Sequence, residues 1–113
     1  MSERDEIVLV QDILQAVNRI DAYSAGLTFD QFLRDGRTQD AVVRNLEIIG
    51  EAAKKLSLEF REANRSVPWP EICGMRDRLI HDYFGIDWAI VWDVIKTDLP
   101  ELRRQLQTGS PSE

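Results

Sequence analysis

Apolar side chains recur at Ile7, Val10, Leu14 and Val17 between Arg4 and Tyr23 with no glycine or proline among them, which predicts a first amphipathic helix ended by Ala25-Gly26. Thr28-Phe29-Asp30-Gln31 has the form of a capping box and opens a short helix to about Arg34. After the turn Asp35-Gly36-Arg37, Thr38 is placed to cap a long third helix running to about Glu62. Its stripe is Val42, Leu46, Ile49, Ala53, Leu56 and Phe60. Gly50 interrupts that stripe at a cost of about 1 kcal/mol relative to alanine, so a close helix crossing is expected there. Asn64 to Pro70 reads as a loop, and Pro70 suits the first turn of a fourth helix that continues to about Tyr83 and stops at Gly85. Asp87 caps a fifth helix to about Gln107, bent near Pro100.

No stretch alternates as a strand would, and no repeat is visible. The expected fold class is all-α, an up-and-down bundle of four principal helices plus a short one. Residues 1–107 form one domain in this reading, and 108–113 a polar, disordered tail.

Composition narrows the chemistry. The chain has 113 residues, a single cysteine (Cys73) and a single histidine (His81), so neither a disulfide framework nor a zinc cluster of Cys and His is expected. No apolar run approaches the roughly 20 residues of a membrane span, and the charged start Ser2-Glu3-Arg4-Asp5-Glu6 is unlike a signal peptide. The expectation is a cytoplasmic protein without metal, cofactor or membrane contact. A net charge of −6 argues against general nucleic-acid binding. A local basic site is still compatible with it, because Arg34, Arg37, Arg44, Lys54, Lys55, Arg61, Arg65, Arg76 and Arg78 all lie in the middle of the chain.

Candidate chemistry is concentrated between Gly74 and Tyr83, where an arginine, the lone histidine and a tyrosine follow one another as Arg76, His81 and Tyr83. On a continuous helix, Arg76 and Tyr83 would lie within roughly 20° of each other inside the apolar face of Ile72, Met75, Leu79 and Ile80, with His81 about 140° away beside Asp77. Asp77 would then reach the imidazole one turn on and orient it. Bland roles remain open for each residue. Arg76 has Glu47 and Glu51 of the long helix as potential ion-pair partners, Arg78 and Asp82 have the spacing of a surface pair, and a lone helical histidine is most often structural. Cys73 reads as a small buried apolar group, and Trp69, Trp88 and Trp92 as core or interface anchors.

The run Arg76-x4-His81-x-Tyr83, followed by Phe84-Gly85-Ile86-Asp87, resembles the signature of HepT-like proteins of the HEPN superfamily. The similarity extends to Arg44-Asn45-Leu46-Glu47-Ile48-Ile49-Gly50-Glu51-Ala52, to Pro68-Trp69-Pro70-Glu71-Ile72-Cys73-Gly74-Met75, and to Val91-Trp92 through Leu99-Pro100-Glu101-Leu102, so it covers nearly the whole chain.

That resemblance implies a HEPN-like bundle acting as the toxin of a toxin–antitoxin pair, a metal-independent endoribonuclease. Its site forms where the motif helices of a homodimer meet, and Gly74 would let a second copy approach. His81 would move the proton of an RNA 2′-hydroxyl or of the leaving oxygen, and Arg76 would hold the scissile phosphate. Asp77 would orient, and Arg78 and Arg44 would add contacts to RNA. The implied partner is an MNT-type nucleotidyltransferase antitoxin that silences the toxin by attaching AMP to Tyr83, with larger hetero-oligomers compatible with the pair. The rival expectation is a non-catalytic helical dimer that binds and assists a nucleotidyltransferase.

Overall fold

A computed structural model describes residues 2–80 and 85–108. Eight α-helices are described: α1 (Glu3–Ser24), α2 (Phe29–Leu33), α3 (Gly36–Lys55), α4 (Leu58–Ala63), α5 (Trp69–Cys73), α6 (Met75–Leu79), α7 (Trp88–Asp93) and α8 (Leu99–Thr108). A π-helical turn, Val94–Asp98, joins α7 to α8. The fold is all-α. Among the described residues the β contact is a lone antiparallel bridge, Ile80 to Ile86.

Local chemistry explains most starts and stops. Ser2 and Asp5 exchange side-chain and backbone hydrogen bonds at 3.2 Å to cap α1, and Thr28 and Gln31 do the same for α2. Asp87 accepts from the amides of Ala89 and Ile90 at the start of α7. The chain leaves α1 through Gly26 at φ +76°, and Gly85, before α7, has φ +81°, a conformation that disfavours any residue with a Cβ.

The long helices pair along the expected faces. Helix α1 buries Val10, Ile13, Ala16, Val17 and Ile20 against Val42, Leu46, Ile49 and Ala53 of α3. Helix α8 closes over α1 with Leu99, Leu102 and Leu106. At one end Phe32 of α2 is fully buried, its ring 5.1 Å from Trp92 and 5.7 Å from Trp88. The tryptophans are thus packing groups. Trp69 too is buried, edge-on to Phe60 at 6.1 Å, with its indole N–H donated to the Asn64 carbonyl.

Four sequence expectations are corrected. Helix α3 starts at Gly36 and is capped by Asp35, not Thr38: the Asp35 carboxylate accepts from both the amide and the hydroxyl of Thr38. It ends at Lys55 and does not reach Glu62. Leu56 is extended, the Ser57 amide donates to the Glu6 carboxylate of α1 at 2.9 Å, and the Ser57 hydroxyl caps α4. A contact across 51 residues, invisible to helical periodicity, stands at the break.

The fourth helix is likewise two short ones. Gly74 is a turn between α5 and α6, and α6 ends at Leu79 because Ile80 turns extended, its amide bonded to the Arg76 carbonyl and its backbone bridging Ile86. Lastly, the irregularity of the final helix precedes Pro100. The Leu99 amide bonds the Val94 carbonyl five residues back, and this wider turn accommodates a ring that would press on the carbonyl of Lys96. The helix ends at Thr108, at the expected boundary of about Gln107.

Candidate functional site

Helix α3 and the α5–α6 pair cross at Gly50, and this crossing fixes the site. A Cβ on Gly50 would lie 3.4 Å from both the Ile72 carbonyl oxygen and the Met75 Cβ, so α3 receives its neighbour nearly backbone to backbone. The close approach expected from a glycine inside a helical stripe is there. Ile72, Met75 and Leu79 are buried below it, which turns Arg76 and Asp77 outward.

Arg76 is therefore exposed, not set within the apolar face. The helix-wheel placement failed because it counted Ile80 in the apolar face: Ile80 is extended and exposed, so that face narrows to Ile72, Met75 and Leu79 and leaves Arg76 at its edge. The side chain lines two adjoining depressions. One, of about 420 Å³, is bounded by Lys54, Cys73, Gly74, Arg76, Asp77 and Ile80. The other, of about 100 Å³, shares Lys54, Cys73 and Arg76 and is closed by Glu47, Gly50 and Glu51. Together they form one groove in which Lys54 and Arg76 are common to both depressions, with Glu47 and Glu51 lining the smaller and Asp77 the larger. Arg76 makes no ion pair with Glu47 or Glu51, nor with any other described residue.

Other candidates lie elsewhere or are engaged. Arg78 does not await Asp82: its Nη2 donates to Asp98 of the π turn at 2.9 Å, and it faces a separate groove beside Thr97. Asp82 itself lies outside the described residues. Arg44 is exposed on the same side of α3 as Glu47, Glu51 and Lys54, but ten residues from Lys54, about 15 Å along the helix axis. Asp77 shares the Arg76 groove. Its expected reach to His81 assumed helix through position 81, and that premise ends at Leu79. Cys73 is half-buried, packing against the core as an apolar group while also lining the groove.

His81 and Tyr83 lie outside the described residues. What is described is the frame around them. Ile80, the residue before His81, lines the groove and bridges Ile86, and the Asp87 amide is bonded to the Leu79 carbonyl at 2.8 Å.

The sequence reading passed over Lys54 as one basic residue among nine. A signal was available: Lys54 follows Gly50 by four residues, and on a helix that places it one turn from any close crossing at the glycine, on the same face.

The profile described as "Ribonuclease HepT-like" matches residues 13–108. A protein of Caldanaerobacter subterraneus subsp. tengcongensis named "Putative RNase" is 46% identical over 98 residues, covering 87% of this chain and 88% of its own. The "Probable ribonuclease HepT" of Thermococcus cleftensis is 41% identical over 98 residues, covering 87% and 89%. A "Putative RNase" of Methanocaldococcus jannaschii is 37% identical over 107 residues, covering 95% and 98%. No solved structure matches the chain.

Proposed function

Because the chain belongs to the ribonuclease HepT-like family, we propose that it is a metal-independent endoribonuclease, the toxin of a toxin–antitoxin pair. The observation that carries this reading is Arg76, exposed in a groove and without an ion-pair partner among the described residues although Glu47 and Glu51 stand in the same groove. A structural arginine would be satisfied by those carboxylates. An arginine left open, five residues before the motif histidine and in one groove with Ile80 beside it, suits an anion that arrives with the substrate.

In the proposed reaction His81 removes the proton of an RNA 2′-hydroxyl, and that oxygen attacks the adjacent phosphorus. The bond to the 5′-oxygen of the next nucleotide breaks, and this oxygen takes up a proton. The products are a 2′,3′-cyclic phosphate and a 5′-hydroxyl. Arg76 holds the non-bridging oxygens and stabilises the charge that grows on them. A homodimer apposing two motif segments supplies one His81 as base and the other as acid. Asp77, in the same groove as Arg76, orients this chemistry. Silencing follows if an MNT-type nucleotidyltransferase attaches AMP to Tyr83, seven residues after Arg76 in the chain, since the added negative charge repels RNA phosphate.

Wild-type protein and His81→Ala are incubated with total cellular RNA in EDTA, and the new ends are analysed. Cutting by the wild type alone, leaving cyclic phosphate ends, is expected. Cutting that needs magnesium, or that survives His81→Ala, refutes the scheme. If neither protein cuts while both are dimeric and Tyr83 is unmodified by mass, the nucleotidyltransferase-binding module replaces it.

A further inference from the structure

We propose that Lys54 is a second RNA-binding residue of the groove, holding the phosphate next to the one that Arg76 holds. This assignment rests on the ribonuclease reading and extends it to a residue outside the motif.

Three observations point to Lys54. It lines both adjoining depressions that Arg76 lines, from the opposite wall, so any polyanion laid over Arg76 passes it. Its ammonium has no carboxylate within ion-pairing distance among the described residues, although Glu51 lies one turn before it on α3. Its backbone position is fixed by tertiary structure, because Arg61 of α4 donates to the Lys54 carbonyl at 2.8 Å and the Gly50 crossing lies one turn away. An anchored backbone with an uncommitted cation suits recruitment of a mobile anion.

The competing explanation is electrostatic support of the α3 C-terminus, where a positive side chain complements the exposed carbonyls. Lys55 separates the two. It occupies the same last turn and serves the helix end equally well, but it faces a different depression with Arg4, Asp5, Val8 and Leu9. Neighbouring lysines thus share the helix-end role and differ in access to the groove.

Charge also distinguishes the two depressions. Glu47 and Glu51 line the smaller and repel phosphate there. The larger depression carries one carboxylate, Asp77, against the two of the smaller, so phosphate is favoured at Lys54 and Arg76 on that side.

The test uses full-length Lys54→Ala, Lys54→Arg and Lys55→Ala. Binding of a single-stranded, fully 2′-O-methylated RNA, which cannot be cut, is measured from 50 to 300 mM salt alongside cleavage kinetics on unmodified RNA. Lys54→Ala is expected to weaken binding at 50 mM salt by roughly tenfold and to flatten the log–log salt slope by about 0.7, one phosphate contact on a single strand. KM should rise with kcat within about twofold, Lys54→Arg should restore most of the loss, and Lys55→Ala should behave as wild type. If the wild type binds and cuts but Lys54→Ala matches it or matches Lys55→Ala, the Lys54 assignment falls alone. A fall in kcat without a rise in KM overturns the placement at the neighbouring phosphate. A wild type that neither binds nor cuts overturns the ribonuclease reading and this one with it.

Discussion

Gly50 offers the sharpest check on the crossing that presents Arg76, because two substitutions there should move stability in opposite directions. Alanine places one carbon 3.4 Å from the Ile72 carbonyl and 3.4 Å from the Met75 Cβ, the near edge of ordinary van der Waals contact. It also removes the roughly 1 kcal/mol cost of glycine inside a helix. Gly50→Ala should therefore be neutral to about 1 kcal/mol stabilising. Leucine gains nearly the same propensity, but its outer carbons must enter space held by the α5–α6 backbone. Because the obstruction includes the Ile72 and Cys73 carbonyls, overpacking should cost about 2–3 kcal/mol, the upper part of the usual range, leaving a net loss of about 1–2 kcal/mol. For 113 residues, an unfolding entropy of about 2.1 cal/mol/K per residue means each kcal/mol shifts Tm by about 4 °C. Thermal unfolding followed by far-UV circular dichroism should show Gly50→Ala at or up to about 4 °C above wild type and Gly50→Leu about 4–8 °C below it. RNA cleavage should fall in the leucine variant alone, since Arg76 rides on the displaced helix. A leucine variant with wild-type Tm would show that α3 and α5–α6 do not meet closely at Gly50, and the groove would have to be redrawn.

Other perturbations test separate parts of the molecule. Phe32→Ala removes the buried ring that ties α2 to Trp88 and Trp92 and should cost about 3–5 kcal/mol by denaturant unfolding. Arg78→Ala breaks a pair with Asp98 whose side chains are 31% and 28% exposed. Solvent screening should hold the loss below about 1 kcal/mol, and cleavage should stay much nearer wild type than in Arg76→Ala. The Asp35 carboxyl is held below its usual range, first by the hydrogen bond from the Thr38 hydroxyl and then by the Thr38 amide. Its contribution is thus complete above the ordinary carboxylate pKa and lost as pH falls through the lowered value, so Asp35→Asn should flatten the stability profile below about pH 4.

The expected helices appeared where the deciding interactions are local. Caps at Ser2, Thr28 and Asp87 act within three residues, apolar spacing repeats within a turn, and Gly26 and Gly85 need only their own backbone freedom. Such features can be read from neighbours in the sequence. The breaks were not legible in that way. Residues 36–63 carry a continuous helical pattern, and at the break between Lys55 and Leu58 the Glu6 carboxylate takes the Ser57 amide. Nothing within a few residues of Ser57 announces it.

The site divides along the same line. Its residue types, the stretch that holds them and the close crossing at Gly50 were determined by the sequence itself, since glycine inside a helical stripe requires a reason and the reason is a neighbour. Which way Arg76 faces, that Lys54 shares its groove, and that Arg78 is spent on Asp98 were decided only by tertiary structure. The helix ends at Leu79, so Ile80 leaves the apolar face and Arg76 stands at its edge. Orientation after a break depends on what the second segment packs against, here Gly50 of a helix more than twenty residues earlier, and no periodicity on one side of a break carries that information to the other.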